Sequence, residues 1–225
     1  MAQVPYSQTL DRGLRILEIL STSSGPMSIA DLTQSIGVHR SIVYRLVRTL
    51  EDHRLVSRRP DGLYELGLGL AALARSVSSV LQSAALPALS DLADNVGMTA
   101  FIVVPEGDEV VTLLSIEPRG SHVHVAYRPG IRHPVHLGAP GIALLAGGPP
   151  QPGEPEKVTA ARARGWAHSQ GEVLSGMRSV AAPVRGRRGD VPASVAVVYV
   201  SEEIDPAELG QRVVASAAAV AARLP

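Results

Sequence analysis

Apolar and basic residues divide the segment 40–50 into two faces when it is placed on a helical wheel. One stripe is apolar, with the spacing of a helix packed on a core, and consists of Val43, Leu46, Val47 and Leu50. The opposite stripe carries only positive charge and consists of Arg40, Ser41, Tyr44, Arg45 and Arg48. A helix fits the major groove of B-DNA, where arginine bonds guanine and serine or tyrosine reaches a base or a phosphate. The pattern therefore predicts a DNA-reading helix.

The flanking segments predict a winged helix-turn-helix around that helix. Ser28, with an acid three residues later, is a typical start for a preceding helix, and Gly37 permits the tight turn between the two helices. After the reading helix, residues 59–62 have the Pro and Gly of a β-turn between two short strands. Two basic residues lie at this hairpin tip, where a wing contacts phosphate or the minor groove: Arg58 and Arg59.

The remaining pattern changes twice along the chain. Residues 67–97 are apolar and alanine-rich, and Pro87 suggests two helices, about 68–82 and 86–96. This segment is a candidate linker and dimer surface, or it packs on its own domains. From Met98 strand patterns alternate with helices, among them a predicted strand at 121–127 and a closing helix at 205–223. We predict an α+β chain: a winged helix-turn-helix at 1–66, a helical linker at 67–97 and an α/β domain at 98–225.

Charge and composition narrow the possible functions. The net charge is zero, but six arginines and two acids between residues 40 and 59 give that window +4, a basic reading head on a neutral body. The absence of cysteine excludes disulfides, thiol catalysis and cysteine-bound zinc. No apolar run reaches membrane-spanning length and no signal-peptide pattern begins the chain, so we expect a cytoplasmic protein without membrane partners.

Four histidines raise the possibility of a metal site: His122, His124, His133 and His136. No acid or cysteine is arranged to complete such a site, and no nucleophile, phosphate-loop or dinucleotide motif is present. We therefore expect no catalytic residues, no metal and no cofactor, and a protein that is not an enzyme. A small metal-dependent enzyme with an accessory helical domain is the rival that metal analysis would test.

Several separate motifs resemble the IclR-type transcriptional regulators. The amino-terminal likeness comprises residues 7–18, the helix-turn-helix and Gly62-x-Tyr64-x-Leu66-Gly67. The carboxy-terminal likeness comprises Gly130-x-Arg132-x-Pro134-Val135-His136, Gly141-x-Ala143-x-Leu145-Ala146, Arg164-Gly165-Trp166, Gly171-Glu172, Gly176 and Ala181-Ala182-Pro183-Val184. The resemblance implies a winged helix joined by a helix to a GAF-like effector domain. It also implies a homodimer or tetramer that binds palindromic operators in double-stranded DNA and responds to a small organic metabolite.

The resemblance also implies an effector pocket at six positions: Ala139, Pro140, Ser169, Ser179, Ala196 and Val198. These residues are less polar than those of acid-binding relatives, which favours an apolar or aromatic ligand. Ile142 stands where lysine is common, and the segment between Ala146 and Arg164 is short. An alternative therefore stays open, in which the chain is a DNA-tethered module that only dimerises or recruits a partner and binds no ligand.

Overall fold

The structure is a computed structural model that describes residues 7–74, 77–120, 125, 127–186, 189–201 and 203–225. The chain divides into two compact units, Met1–Val77 and Ser78–Pro225. The first unit contains α1 (Gln8–Thr22), α2 (Ile29–Ile36), α3 (Arg40–Asp52), β1 (Val56–Arg58), β2 (Tyr64–Leu66) and α4 (Gly69–Ala74). The second contains α5 (Ser79–Val96), β3 (Thr99–Glu106), β4 (Glu109–Ile116), β5 (Arg132–Pro134), α6 (Gly138–Gly147), α7 (Glu156–Arg164), β6 (Ala167–Gln170), β7 (Arg178–Val184), β8 (Ala193–Tyr199) and α8 (Pro206–Ala222).

The first unit is the predicted winged helix-turn-helix. Its core joins α1, α2, α3 and the β1–β2 hairpin through fully buried side chains such as Ile16, Leu32 and Val43. The hairpin is antiparallel with Val56 opposite Leu66, and the backbone of Met27 bonds Tyr64 on its other side. Burying one apolar stripe of each helix leaves the opposite stripe of α3 in solvent.

Local signals set the ends of these elements as predicted. Ser28 and Asp31 form a reciprocal capping box at the start of α2, because each side chain accepts a hydrogen bond from the other residue's backbone N–H. Gly37 ends α2 with a left-handed φ of 74°. After the wing, Gly67 passes so close to the backbone of Arg54 that a side chain at this position would overlap the Arg54 carbonyl. The Gly67-x-Gly69 pair therefore serves close packing of backbone on backbone.

The second unit is a six-stranded antiparallel sheet with helices on both faces. The strand order is β5-β4-β3-β8-β7-β6. Helices α5 and α8 pack on one face against the side chains of Val180, Val195 and Val197. Helices α6 and α7 cover the other face, where Ala181 and Ala196 lie. Successive residues of a strand alternate between the two layers, which explains why β8 is apolar on both sides. The predicted α+β fold class is confirmed.

The segment before this sheet differs from the predicted pair of helices. The break lies between Ala74 and Ser79, and α5 continues through Pro87 to Val96. Pro87 is exposed, so the carbonyl that loses its helical N–H partner faces solvent. The neighbouring turns are held because Ala85 and Leu89 are fully buried in the core of the second unit. Core packing of one face has outweighed the local cost of proline.

Two strands of the sheet were not predicted. These are β5 and β6, the short edge strands, of three and four residues. Neither alternates clearly between apolar and polar residues, so pairing with β4 and β7 defines them. The predicted strand at 121–127 falls largely outside the described residues. The predicted closing helix is confirmed as α8, whose N-cap is Asp205.

Candidate DNA-reading surface and effector cavity

One face of α3 forms a continuous exposed basic surface. Its five side chains are all exposed, while Val43, Leu46 and Val47 on the opposite face are buried, as predicted. Tyr44 keeps 52% of its surface in solvent although it is a large aromatic residue. Within the part of the chain that the structure describes, no acid pairs with Arg40, Arg45 or Arg48. The positive charge of this face is therefore available to a partner.

The start of α3 is capped by a residue that sequence reasoning missed. His39 is the N-cap, and its Nδ1 accepts a hydrogen bond from the backbone N–H of Ser41 and lies 2.8 Å from the Ser41 hydroxyl. Histidine is not one of the usual N-cap residues, so the sequence carried no signal for this role. The contact fixes Ser41 at the first turn of α3, where its hydroxyl is shared between the cap and solvent.

The two wing arginines have different surroundings. Arg59 lies 3.3 Å from the carboxylate of Asp61 and 3.6 Å from that of Glu65, so two acids offset its charge. Arg58 is exposed, and its guanidinium lies 5.8 Å from the ring centre of Tyr64. Exposed ion pairs are weak and can open for a phosphate, but only Arg58 offers an uncompensated charge at the wing. From the sequence alone, the two arginines had the same expected role in contacting DNA.

A small cavity lies in the second unit beside the start of α6. Four of the six predicted effector positions line it: Pro140, Ser169, Ser179 and Val198. Ala139 and Ala196 are fully buried in the apolar layer beneath α6 and are not part of the lining. The lining also includes residues that were not predicted, among them Phe101, Tyr127, His133, Glu172 and Met177. The cavity measures about 30 Å³, which is room for about two water molecules.

Every backbone N–H group at the start of α6 has a hydrogen-bond acceptor within the chain. A helix leaves its first N–H groups without helical partners, and such groups commonly bind anions. Here the N–H of Gly138 donates to the Glu172 carboxylate at 2.8 Å, and that of Ala139 donates to the Ser169 hydroxyl at 2.8 Å. Leu137 donates to the carbonyl of Pro134, and Pro140 has no N–H. The chain's own groups therefore occupy the anion-binding end of α6.

Glu172 is held in its charged form by these contacts. Burial raises the pKa of its carboxyl, but the hydrogen bond from Gly138 and the ammonium of Lys157 at 3.1 Å outweigh burial, and the pKa lies below the usual value. Glu172 thus places a negative charge in the cavity lining.

His133 lines the cavity, and one of its ring nitrogens has no hydrogen-bond partner among the described residues. Its Nδ1 lies 3.1 Å from the carbonyl oxygen of Pro134, which can only accept, so Nδ1 carries the hydrogen. Burial lowers the pKa of this ring, and the carbonyls of Pro134 and Leu137 oppose that shift only in part. The neutral ring therefore presents the lone pair of Nε2, which is buried and bonded to no group in the described ranges.

The metal hypothesis gains no geometric support in the described part of the chain. No three groups among the described His, Asp and Glu residues lie close enough to hold a metal ion. His133 is buried in the cavity lining and His136 is exposed. His122 and His124 lie outside the described residues. The described helices also include none that is long and apolar enough to cross a membrane.

Comparison with known proteins decides the family. The model of the IclR helix-turn-helix domain matches residues 9–60, and the model of the bacterial transcriptional regulator IclR C-terminal domain matches residues 155–224. The chain belongs to the IclR family of transcriptional regulators. As a member of this family it has a DNA-binding helix-turn-helix and an effector domain, and its characterised relatives are transcriptional regulators.

Individual relatives of this IclR-type regulator are similar over nearly the whole chain. The HTH-type transcriptional regulator XynR of Escherichia coli K12 is 28% identical, over 92% of this chain and 91% of its own. The IclR regulator structure from Alicyclobacillus acidocaldarius is 27% identical with a TM-score of 0.78, and all of both chains is covered. An IclR homologue from Microbacterium hydrocarbonoxydans, solved with 4-hydroxybenzoate, shares the fold: the TM-score is 0.81 at 23% identity, over 96% of this chain and 99% of the other.

Proposed function

We propose that this regulator binds palindromic operator DNA as a homo-oligomer and that α3 reads the major groove. The unpaired basic face of α3 carries this proposal. Arg40, Ser41, Tyr44, Arg45 and Arg48 would contact bases or nearby phosphates. Arg58 and Arg59 would lie on the backbone or minor groove, with Arg58 contributing more because no acid offsets its charge. In this scheme residues 1–66 read DNA, residues 67–97 connect, and residues 98–225 hold the effector.

Selection of binding sites from random double-stranded DNA tests this proposal. With the purified full-length protein, we expect an enriched palindrome whose half-site spacing reflects a dimer. Salt-sensitive binding to every duplex without enrichment would instead indicate an architectural DNA binder. Failure to bind any duplex would show that the α3 surface has another use.

Exposed leucines support the homo-oligomer. The first unit leaves large apolar side chains in solvent at Leu10, Leu14, Leu66, Leu68, Leu73 and Val77, and Leu68 is 89% exposed. Single exposed leucines are normal, but Leu10 and Leu14 are one turn apart on α1 and give that helix an exposed apolar face, which supports an interface with a second copy. Leu14→Glu should shift the oligomer toward monomer by at least about tenfold in the dissociation constant. Sedimentation velocity over a concentration series measures this, and an unchanged distribution would move the interface elsewhere.

We also propose that a small molecule bound in the second unit controls DNA binding. The support is a partly open cavity in the effector domain that is lined by four of the six predicted effector positions. The small volume of the cavity favours one rival, a second unit that only dimerises or recruits a partner. Ligand-induced thermal stabilisation separates the two, because only a ligand-binding protein gains stability from a metabolite.

A further inference from the structure

A larger apolar cleft adjoins the effector cavity. The cleft measures about 510 Å³ and its lining is mostly apolar and includes Met98, Val125 and Ile204. Three residues line both spaces: Leu174, Met177 and Val198. Leu174 and Met177 lie on the turn between β6 and β7, which is closed by the hydrogen bond from the Gly171 N–H to the Met177 carbonyl. The small cavity, whose lining includes polar side chains such as His133 and Ser169, and the larger cleft therefore share one wall.

The shared wall is made of side chains that can move. Met177 is unbranched and partly exposed, and Leu174 is 42% exposed. Methionine adapts its rotamer to neighbours at low energetic cost. A rotation of Met177 would connect the cavity with the cleft, and the joined space reaches the volume typical of small-molecule sites.

The polar groups of the cavity suit a hydroxyl group. His133 is 6% exposed and presents the lone pair of Nε2 as an acceptor with no partner in the described residues. Ser169 uses its oxygen to accept from Ala139, which leaves its hydroxyl hydrogen available as a donor. One hydroxyl of a ligand could donate to His133 and accept from Ser169. A buried acceptor without a partner costs stability, so pairing it on binding is favourable.

The same lining disfavours a carboxylate. The N–H groups at the start of α6 are already used or, at Pro140, absent, and the charged Glu172 faces the cavity. A carboxylate cannot donate to His133, and it would meet a like charge. Arg178 also lines the cavity. Recognition of an anion by Arg178 is the competing arrangement, and it predicts the opposite order of affinities.

We propose that the cavity and the cleft form one effector site for an uncharged, hydroxyl-bearing molecule with an apolar body, with its hydroxyl bound between His133 and Ser169. This rests on the ligand control proposed above and names the chemical class of the ligand. Met177 and Leu174 move aside to admit the apolar body, and His133 selects for a hydrogen-bond donor.

Three matched probes test the class. 4-Ethylphenol carries the hydroxyl, 4-ethylanisole replaces its hydrogen with a methyl group, and the 4-ethylbenzoate anion carries a carboxylate. Binding to the full-length protein is measured by calorimetry and thermal shift. We expect 4-ethylphenol to bind about fivefold or more tightly than 4-ethylanisole, and 4-ethylbenzoate to bind most weakly. His133→Phe should remove the preference for the phenol, whereas His136→Phe, at an exposed position outside the lining, should keep it.

The outcomes separate this inference from the proposed function. If 4-ethylbenzoate binds most tightly, the inference is wrong and Arg178 is the better candidate, while ligand control stands. If 4-ethylphenol and 4-ethylanisole bind equally to the wild-type protein, His133 has no selecting role; this comparison does not depend on how well a variant folds. If no probe binds although the protein selects an operator, the inference is wrong and DNA reading stands, while ligand control is decided by the thermal-stabilisation test with other metabolites.

Discussion

Replacing Arg45 by alanine tests the reading surface most directly. Arg45 lies midway along the basic face of α3, is exposed, and pairs with no acid in the described part of the chain. Its removal breaks no intramolecular ion pair, and alanine is a better helix former than arginine. The stability of the free protein should therefore change by less than about 0.5 kcal/mol. The free energy of binding to operator DNA should instead weaken by about 1–3 kcal/mol if Arg45 bonds a base bidentately. This is a loss of about 5- to 150-fold in affinity.

The position of the loss along the operator carries the decisive information. Fluorescence anisotropy against the selected duplex and each single-base variant, at one fixed salt concentration, locates it. We expect wild type to discriminate at one base pair where Arg45→Ala does not. Arg59→Ala is the control, because Asp61 and Glu65 already offset that charge, and its loss should be smaller and the same for all duplexes. A uniform loss for Arg45→Ala, with a salt slope reduced by about one, would place Arg45 on phosphate and refute base reading.

Two further predictions concern stability. Gly67→Ala should destabilise the first unit by about 1–3 kcal/mol, since the new methyl would overlap the Arg54 carbonyl, whereas Gly25→Ala, which meets no atom within 4 Å, should be near neutral in urea unfolding. Glu172→Gln should cost about 1 kcal/mol at pH 7. Because the folded-state pKa of Glu172 is lowered, this contribution is present above the usual pKa of 4.5 and is lost as the pH falls through the lowered value. Unfolding at pH 7 and pH 4 should show the difference between wild type and variant shrinking, and a constant difference would contradict the charge pairing.

The buried and exposed faces of α3 were predictable because one short segment contains all of both. A single helix carries both its buried and its exposed stripe, so the 3.6-residue period assigns each side chain to a face. The capping box and Gly37 are equally local. The sequence did not show the ion pairs of the hairpin, in which the carboxylates of Asp61 and Glu65 offset the charge of Arg59 but not that of Arg58. Likewise, the continuity of α5 through Pro87 depends on a core that includes residues of β7, β8 and α8, more than 80 positions away.

The cavity proposed as the effector site was harder to predict because distant segments build it. His133 on β5 and Ser169 on β6 lie on edge strands that have no clear period and were not predicted. His133 therefore appeared only as one of four histidines with a possible metal role. Four of the six positions that the resemblance implied line this one cavity. The resemblance did not reveal that the hydroxyls of Ser169 and Ser179 already form hydrogen bonds with backbone groups of the protein.

The hydrogen bonds that the chain already makes at the start of α6 limit which ligands the proposed site accepts. The start of α6 is an anion site by its geometry, and this chain closes it with Glu172, Ser169 and a proline that has no N–H. These hydrogen bonds within the chain make the start of α6 stable without a ligand, because each of its N–H groups already has an acceptor. The same hydrogen bonds remove the donors that a carboxylate would need. Under the proposed ligand control, recognition of a neutral donor depends on the His133 lone pair and the Ser169 hydroxyl, and the probe series weighs these groups against Arg178 in the same lining.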